Sequence, residues 1–489
     1  MLLLTPSRAT FIARLIKGEG AMPRWLPWVV SLSLVPLVVQ LITKFGFWAG
    51  VAIIAAVVAV PLGVAALWST GIGIYILLLF AFFISIPNRL AEGIPMGIAL
   101  DVMILIMLIG LLYRCVIHRQ WKSFQTPISV AVFLWAGMNF LELANPWAGS
   151  RAAWFYVIRP AVGYMMVFFL TYSFLNTRKQ LLQLLGAILF LSLVSAGWGI
   201  WQATMGYFSW EYNYVFSHDL VHLVFNYGRW RAIGSIGSPA QFGILMAFVS
   251  MLCIPLMVAA PHFWIRLLLA ITCGATLLAM VYSGTRSAFI IIPVFYLVWV
   301  FLARKRNLYW SLLVAVMAFV GLATVPSNNY HIQRIQSVFK ASEDKSYQTR
   351  ARNRQMIFPW ILAHPIGGGL GSTGVWGQRF TPGSFLAMFA PDSGLIRVAV
   401  ELGWIGLLVF LFLYYKILTK GVRLSFQMKD PMLKAIAMGI LAAVAPLLIV
   451  EWGQEVIGVF PMSILFWMFV AILFRALAID KEMNNLPVV

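Results

Sequence analysis

Long apolar runs separated by short polar links dominate the pattern of this 489-residue chain. A helix of roughly 20 mostly apolar residues crosses the hydrocarbon core of a bilayer. Runs of about that length recur fourteen times, at residues 28–42, 47–68, 71–86, 97–113, 128–143, 161–175, 181–201, 242–258, 265–282, 288–302, 310–325, 395–418, 433–450 and 456–474. The pattern predicts an all-α polytopic membrane protein with about 14 transmembrane helices (12 to 14), because the closely linked first two runs also fit a re-entrant or tilted arrangement.

Two polar interruptions are much longer than the other links, residues 202–241 and 326–394. Residues of the AVILMFWYC set make up 62% of the chain, charged residues only 10%, and the mean hydropathy is +0.90. These values exclude the soluble classes. We therefore expect one integral membrane domain over residues 1–489, with the two interruptions as long loops on one side.

Basic residues in the short loops predict the orientation, because Lys and Arg stay preferentially on the cytoplasmic side. They fall in alternate loops, at Arg8, Arg14, Lys17, Arg24, Arg114, Arg119, Lys122, Arg178, Lys179, Arg304, Lys305, Arg306, Lys416, Lys420, Arg423 and Lys429. Both termini are therefore predicted to be cytoplasmic, and both long loops to lie outside.

The basic residues of the two predicted sides differ in kind. Inside there are 11 Arg and 9 Lys, and outside 12 Arg and 3 Lys. The outward arginines are Arg89, Arg151, Arg159, Arg229, Arg231, Arg286, Arg334, Arg350, Arg352, Arg354, Arg379 and Arg397. A guanidinium grips phosphate with two hydrogen bonds whereas an ammonium is a point charge, so the set favours a phosphate ligand, with pairing to acids or lipid headgroups as the alternative. The net charge of +20 is spread over many loops without a nucleic-acid module, so we expect membrane lipids and no nucleic acid as partners.

The second long loop concentrates candidate chemistry. Arg350 and Arg354 fall on one helical face, and Arg352 points elsewhere. This helix should end at His364, because a residue before proline is biased away from helical geometry. Glycines 367, 368, 369, 371 and 374 follow. They formally match a dinucleotide-binding fingerprint, but that motif requires a preceding strand, and none is predicted here. We therefore interpret the glycines as a turn that packs tightly or approaches a substrate, or as a flexible loop.

Cysteines and histidines predict neither disulfides nor a metal site. Cys115 lies at an inner loop, and Cys253 and Cys273 lie within apolar runs. His218 and His222 have helical spacing but lack the intervening glutamate of a zinc-protease motif. We expect no cofactor and no metal.

Four segments in order carry a family resemblance: Arg231-Ala-Ile-Gly-Ser-Ile-Gly-Ser-Pro, Ser283-Gly-Thr-Arg286-Ser-Ala, His364-Pro-Ile-Gly-Gly-Gly-Leu-Gly and Asp392-Ser-Gly-Leu-Ile-Arg-Val-Ala-Val-Glu401-Leu-Gly-Trp-Ile-Gly406. From about Trp230 to Gly406 the chain resembles the O-antigen ligase and O-antigen polymerase superfamily. The resemblance implies a bacterial inner-membrane glycosyltransferase of GT-C-like architecture. Such an enzyme takes a glycan from an undecaprenyl-diphosphate carrier on the periplasmic face and joins it to a saccharide or lipid acceptor, without a metal. A single direct displacement would invert the anomeric carbon.

The last motif departs from the family at its first position, where ligases carry a histidine that is their proposed base. Here the position holds Asp392, which can accept a proton. Alternatively, Asp392 only positions the substrate, and His364 or another histidine of the outer loops transfers the proton. A helix N-cap is the structural alternative for Asp392. Burial would raise the pKa of Asp392 and Arg397 would lower it. By resemblance, the residues expected to bind the diphosphate are Arg231, Arg286, Arg352, Arg354 and Arg397. We expect Glu401 to be buried and paired.

Other functions stay open. A polysaccharide or lipid-linked-sugar flippase or transporter could have as many spans, but it would need a charged path through the bilayer, and the apolar runs are nearly free of ionisable residues. A structural subunit working with polysaccharide-assembly proteins is a third interpretation. The motifs do not separate a ligase from a polymerase, because the two differ only in the acceptor.

Overall fold

The computed structural model describes residues 63–67, 69–90, 96–226, 228–305 and 345–484, with isolated positions between 308 and 336. The predicted spans 28–42, most of 47–68 and most of 310–325 lie outside these residues. Contacts divide the chain into Met1–Ala65 and Ala66–Val489. All the labelled helices and strands belong to the second unit.

Helices make up most of the described residues of this unit. In chain order they are α1 (Thr70–Phe83), α2 (Ser85–Leu90), α3 (Met96–His118), α4 (Ser129–Leu141), α5 (Arg151–Ile158), α6 (Val167–Phe174), α7 (Arg178–Thr204), α8 (Ser209–Ser217), α9 (Val221–Val224), α10 (Pro239–Ala259), α11 (Phe263–Ser283), α12 (Arg286–Ala303), α13 (Lys345–Ala363), α14 (Gly374–Phe380), α15 (Phe385–Met388), α16 (Gly394–Glu401), α17 (Gly403–Ser425), α18 (Pro431–Gly453) and α19 (Met462–Met483). Between α9 and α10, β1 (Phe225–Asn226) and β2 (Arg229–Trp230) form an antiparallel hairpin.

Ten helical stretches among the described residues are long and apolar enough to cross a bilayer. They are α1 with α2, α3, α5 with α6, α7, α10, α11, α12, α17, α18 and α19. Each predicted run that falls in the described residues overlaps one of these stretches or α4, which is apolar but shorter. A helix satisfies its own backbone hydrogen bonds in lipid. An all-α, multi-pass membrane protein is thus confirmed, while the count of about 14 and the GT-C-like architecture stay predictions.

The core of the bundle lies around α10, α18 and α19. The most apolar window of α19 is 94% buried, against 28% for α11. A helix that is hydrophobic on all sides belongs in the interior, and α19 packs against α18 and α6. The exposed apolar side chains of α11, among them Trp264 and Leu268, suit contact with lipid.

Polar groups collect at the two ends of this bundle. At one end Arg178 pairs with Asp430 (3.2 Å), and Arg475 pairs with Glu482 (2.9 Å). This end holds the links predicted to be cytoplasmic. The other end carries the long loops and contains the candidate functional residues.

A buried ion pair attaches the first long loop to α2. Arg89 Nη1 lies 3.1 Å from Glu211 Oε1, and both side chains are almost fully buried. Gln202 Nε2 also donates to this carboxylate, at 2.6 Å, and Arg89 Nη2 donates to the Gly234 carbonyl at 3.2 Å. Burial raises the pKa of Glu211, while the Phe208 N–H and Arg89 oppose the rise.

The predicted span 395–418 is wrong at its beginning, because two helices replace one. α16 ends at Glu401 and α17 begins at Gly403, whose φ is +70°. A Cβ at Gly403 would lie 2.0 Å from the Pro365 carbonyl oxygen, to which the Ile405 N–H donates at 3.2 Å. The glycine-rich turn after α13 packs into this break, so tight packing explains the glycine cluster better than loop flexibility does.

Candidate active site

Residues 451–457, which cover the last turn of α18 and the loop after it, lie at the centre of the end that carries the long loops. Side chains from α10, α12, α13 and the start of α16 donate to this segment. The bonds run from Gln241 Nε2 to Glu455 O (3.0 Å), Ser287 Oγ to Gln454 Oε1 (3.1 Å), Arg350 Nη1 to Gly453 O (3.0 Å), Arg354 Nη2 to Trp452 O (3.3 Å) and Ser393 Oγ to Glu451 O (2.9 Å). Groups far apart in sequence therefore converge on one short segment.

Arg350 and Arg354 share a small cleft with Asp392. Arg350 Nε lies 3.5 Å from Asp392 Oδ2, and the Arg354 guanidinium carbon lies 4.8 Å from the centroid of the Trp452 ring. The enclosed volume is about 10 Å³, room for about one water, so a larger ligand would approach from the open side, where 45% of the Asp392 side chain is exposed. The predicted common face of Arg350 and Arg354 is confirmed, and Arg352 is exposed on another face.

Ser393, and not Asp392, caps α16. Ser393 Oγ accepts a hydrogen bond from the Ile396 N–H at 3.3 Å. Ser is as good an N-cap as Asp, and the hydroxyl also donates to the Glu451 carbonyl. The N-cap alternative for Asp392 is therefore wrong, and its carboxylate faces Arg350 instead.

Arg397 lies with carboxylates rather than with the other arginines. Its Nε donates to Glu401 Oε1 at 3.3 Å, and its Nη1 donates to both Glu455 oxygens at 2.8 and 3.0 Å. Glu401, and after it Glu455, raise the pKa of Arg397 against the opposing effect of burial. The arginine that pairs with Asp392 is Arg350.

Glu401 and Glu451 are both buried and hydrogen-bonded. Glu401 Oε1 accepts from Thr373 Oγ1 at 2.7 Å, so its predicted burial and pairing are confirmed. Glu451 Oε1 accepts from the Val456 N–H at 2.9 Å and from the Ile457 N–H. The carboxylate folds back and stabilises the loop that follows α18.

His364 lies directly after α13, as predicted, and away from the cleft. Its ring stacks on Trp360 with centroids 4.0 Å apart, and Trp147 meets it edge-on at 5.1 Å. The Nδ1–H donates to the Trp360 carbonyl at 2.8 Å, which leaves Nε2 as the acceptor of the neutral ring. Ten residues of helix separate it from Arg354, a distance of about 15 Å, so the structure does not bring His364 together with Asp392.

Residues 271–411 match the model of a protein family described as O-Antigen ligase. The match supports the assignment of this segment to the O-antigen ligase and polymerase superfamily. It contains the whole of α13 and α16, whereas residues 451–457 lie outside the match. No curated protein matches the chain.

Arg231 lies before the O-antigen ligase segment and forms hydrogen bonds to the turn between α11 and α12. Arg231 Nε donates to the Ser283 carbonyl at 2.7 Å, and Nη2 donates to Thr285 Oγ1 at 3.2 Å. Nη1 donates to the Leu223 carbonyl at 3.0 Å. Arg286 follows Thr285 in the chain and is the first residue of α12. The residue after it, Ser287, contacts the 451–457 segment. Arg231 therefore orients the turn that carries Arg286.

Sequence reasoning missed Glu451 and Glu455. The two acids lie four residues apart in the short link between the last two apolar runs. Because the chain has only 15 Asp and Glu residues, this pair was the sequence feature that could have indicated them. In the ranges that the structure describes, no group of three or more His, Cys, Asp or Glu side chains is arranged to hold a metal ion. The arrangement offers guanidinium groups that can stabilise developing negative charge, and a partly exposed carboxylate that can accept a proton.

Proposed function

We propose that this protein transfers a glycan from an undecaprenyl-diphosphate carrier to an acceptor hydroxyl at the cleft formed by Arg350, Arg354 and Asp392. One observation carries the proposal: Arg350 and Arg354 of α13 donate to the 451–457 segment, and Asp392 faces Arg350. Ser287, the residue after Arg286, donates to the same segment. The family match independently supports a glycan-transferring membrane enzyme.

The arginines hold the diphosphate in this proposal. Negative charge grows on the diphosphate as the sugar bond breaks, so preorganised guanidinium groups stabilise the transition state more than the ground state. Arg350 and Arg354 are fixed by the carbonyls of Gly453 and Trp452. Each bond uses one Nη, so other N–H groups of both side chains can bind phosphate oxygens. Arg286 completes the set, and Arg350 takes the role first expected of Arg352.

Asp392 is the base in this proposal. The acceptor hydroxyl gives its proton to the carboxylate, its oxygen bonds to the anomeric carbon, and the bond from that carbon to the diphosphate breaks with its electron pair leaving on the diphosphate. A single displacement inverts the anomeric carbon. His364 does not take this role, because it lies about 15 Å along the helix from Arg354.

The periplasmic face of a bacterial inner membrane is the proposed location of the cleft. The opposite end of the bundle carries lysines in its links and at its helix ends, among them Lys122, Lys179 and Lys429, which favours a cytoplasmic position for that end. The cleft then faces the compartment where the lipid carrier presents its glycan.

A transfer assay with purified protein in proteoliposomes tests the proposal. The assay supplies a lipid-diphosphate-linked glycan and an acceptor, and it follows the joined product. Asp392→Asn keeps the shape of the side chain but cannot take the proton, so the rate should fall by roughly 10²–10⁴. The exposed Arg352→Ala variant serves as the control and should transfer normally.

Two results would contradict the proposal. One is transfer at the wild-type rate by the Asp392→Asn protein, whether or not His364→Ala is inactive. The other is movement of the carrier between leaflets without any joined product, which would indicate a flippase.

A further inference from the structure

A cavity lies on the other side of α16 from the cleft. Gly394, Arg397 and Glu401 line the cavity, while Ser393 and Ile396 line the cleft. The first three are three and four residues apart and share a helical face. The cavity volume is about 100 Å³, which holds several water-sized groups, since one water needs roughly 10–15 Å³.

Asn139, at the end of α4, lines this cavity. The residue is 0% exposed, and its Nδ2 donates to the Trp135 carbonyl at 2.8 Å. Its Oδ1 is buried and has no hydrogen-bond partner within the described parts of the chain. Buried polar groups in proteins are almost always paired, so this oxygen indicates a ligand with a hydrogen-bond donor.

The charges of the lining residues disfavour an anion. Glu401, Glu451 and Glu455 face the single guanidinium of Arg397, which already pairs with two of them. The Glu455 side chain remains 18% exposed, so its oxygens can accept further hydrogen bonds. A diphosphate would be repelled here, whereas hydroxyl groups would find several acceptors.

The remaining walls are apolar and largely aromatic. Trp135, Phe410 and Trp467 line the cavity, and the Trp135 and Phe410 rings lie 5.4 Å apart. A π-helical turn, Arg159–Gly163, adds Pro160 and Ala161 to the wall, and such turns are frequent at functional sites. Apolar rings with a few convergent acceptors suit a sugar, whose C–H faces pack on the rings while its hydroxyls donate.

We propose that this cavity binds one neutral sugar unit, whose hydroxyls donate to Asn139 Oδ1 and to the Glu455 carboxylate. The inference rests on the proposed function, because it assigns part of the same glycan-transfer reaction. The sugar belongs either to the donor glycan or to the acceptor. Arg397 is then a positioning residue for the carboxylates.

Binding is measured by saturation-transfer NMR on the full-length protein in nanodiscs, with methyl glucopyranoside, galactopyranoside and mannopyranoside as probes. Asn139→Leu keeps the volume but removes the acceptor. Asn176→Leu makes the same change at an exposed position at the opposite end. At least one pyranoside should give a signal with the wild type and with Asn176→Leu, and this signal should fall several-fold with Asn139→Leu. Equal signals from all three proteins, or none from the wild type, overturn the inference.

Kinetics of glycan transfer then identify the source of the sugar. Asn139→Leu should raise one KM by roughly two- to tenfold, the effect of one lost hydrogen bond, and leave kcat nearly unchanged. A rise in the acceptor KM assigns the cavity to the acceptor, and a rise in the donor KM assigns it to the donor glycan. Unchanged values for both contradict the inference. If Asn139→Leu fails to fold, Ala161→Leu, which narrows the cavity from its wall, should weaken pyranoside binding in the same way.

The two proposals fail separately. Inorganic pyrophosphate, followed by ³¹P NMR, probes the arginine cleft and not the cavity. Pyrophosphate binding and an inactive Asp392→Asn variant, without pyranoside binding, would retain the proposed function and reject the sugar cavity. Pyranoside binding that depends on Asn139, together with an active Asp392→Asn variant, would reject the catalytic proposal alone.

Discussion

Replacing Gly394 by alanine should destabilise the protein by about 2–6 kcal/mol. A Cβ at this position would lie 1.5 Å from Glu451 Oε2. Carbon and oxygen atoms do not approach so closely, so the carboxylate would have to move by at least about 1.5 Å. The move would break its hydrogen bonds from the Val456 and Ile457 N–H groups. Both residues are buried, and each unsatisfied buried donor costs about 1–3 kcal/mol.

Unfolding of the purified protein by SDS or heat measures this loss, with Gly186→Ala as the matched control. Gly186 lies within α7, and a Cβ there would meet nothing within 4 Å. Because alanine is the better helix former, the control should be neutral or more stable by up to about 1 kcal/mol. A Gly394→Ala protein as stable as Gly186→Ala would refute the role given to Glu451.

Two further substitutions probe the arginines. Arg397→Gln leaves Glu401 and Glu455 without their cation and should cost about 3–5 kcal/mol in the same unfolding assay; adding Glu455→Gln should recover part of it, and an unchanged stability would contradict the ion-pair assignment. Arg231→Lys keeps the charge but not the planar fork, so it should lower the melting temperature and speed limited proteolysis near Ser283. Unchanged stability with weaker donor binding would instead mean that Arg231 contacts the diphosphate directly.

Local rules predicted much of the fold. Apolar length gave the approximate position of the runs that the structure describes, except for the beginning of 395–418, because a lipid-facing segment has few alternatives to a helix. The four-residue spacing of Arg350 and Arg354 placed both on one face, and the proline after His364 marked the end of α13. These features depend on near neighbours in the chain.

Features that depend on distant neighbours could not be predicted. The break between α16 and α17 arises because the Pro365 carbonyl packs against Gly403. The partner of Asp392 is Arg350 rather than Arg397, because Glu401 and Glu455 occupy Arg397. The convergence of side chains on the 451–457 segment likewise depends on tertiary packing. In the sequence, the only sign of this segment was the pair of acids, Glu451 and Glu455, between two apolar runs.

Equilibrium binding of a radiolabelled undecaprenyl-diphosphate-linked glycan to the purified protein tests the central claim most directly. Wild type is compared with Arg350→Gln, Arg354→Gln and Arg178→Gln, the last of which removes an arginine paired with Asp430 at the opposite end. Loss of one charged hydrogen bond to phosphate should weaken binding roughly tenfold or more. We predict that the first two variants bind that much more weakly while Arg178→Gln binds like the wild type. Equal affinity in all four proteins would contradict the claim that the cleft holds the lipid diphosphate.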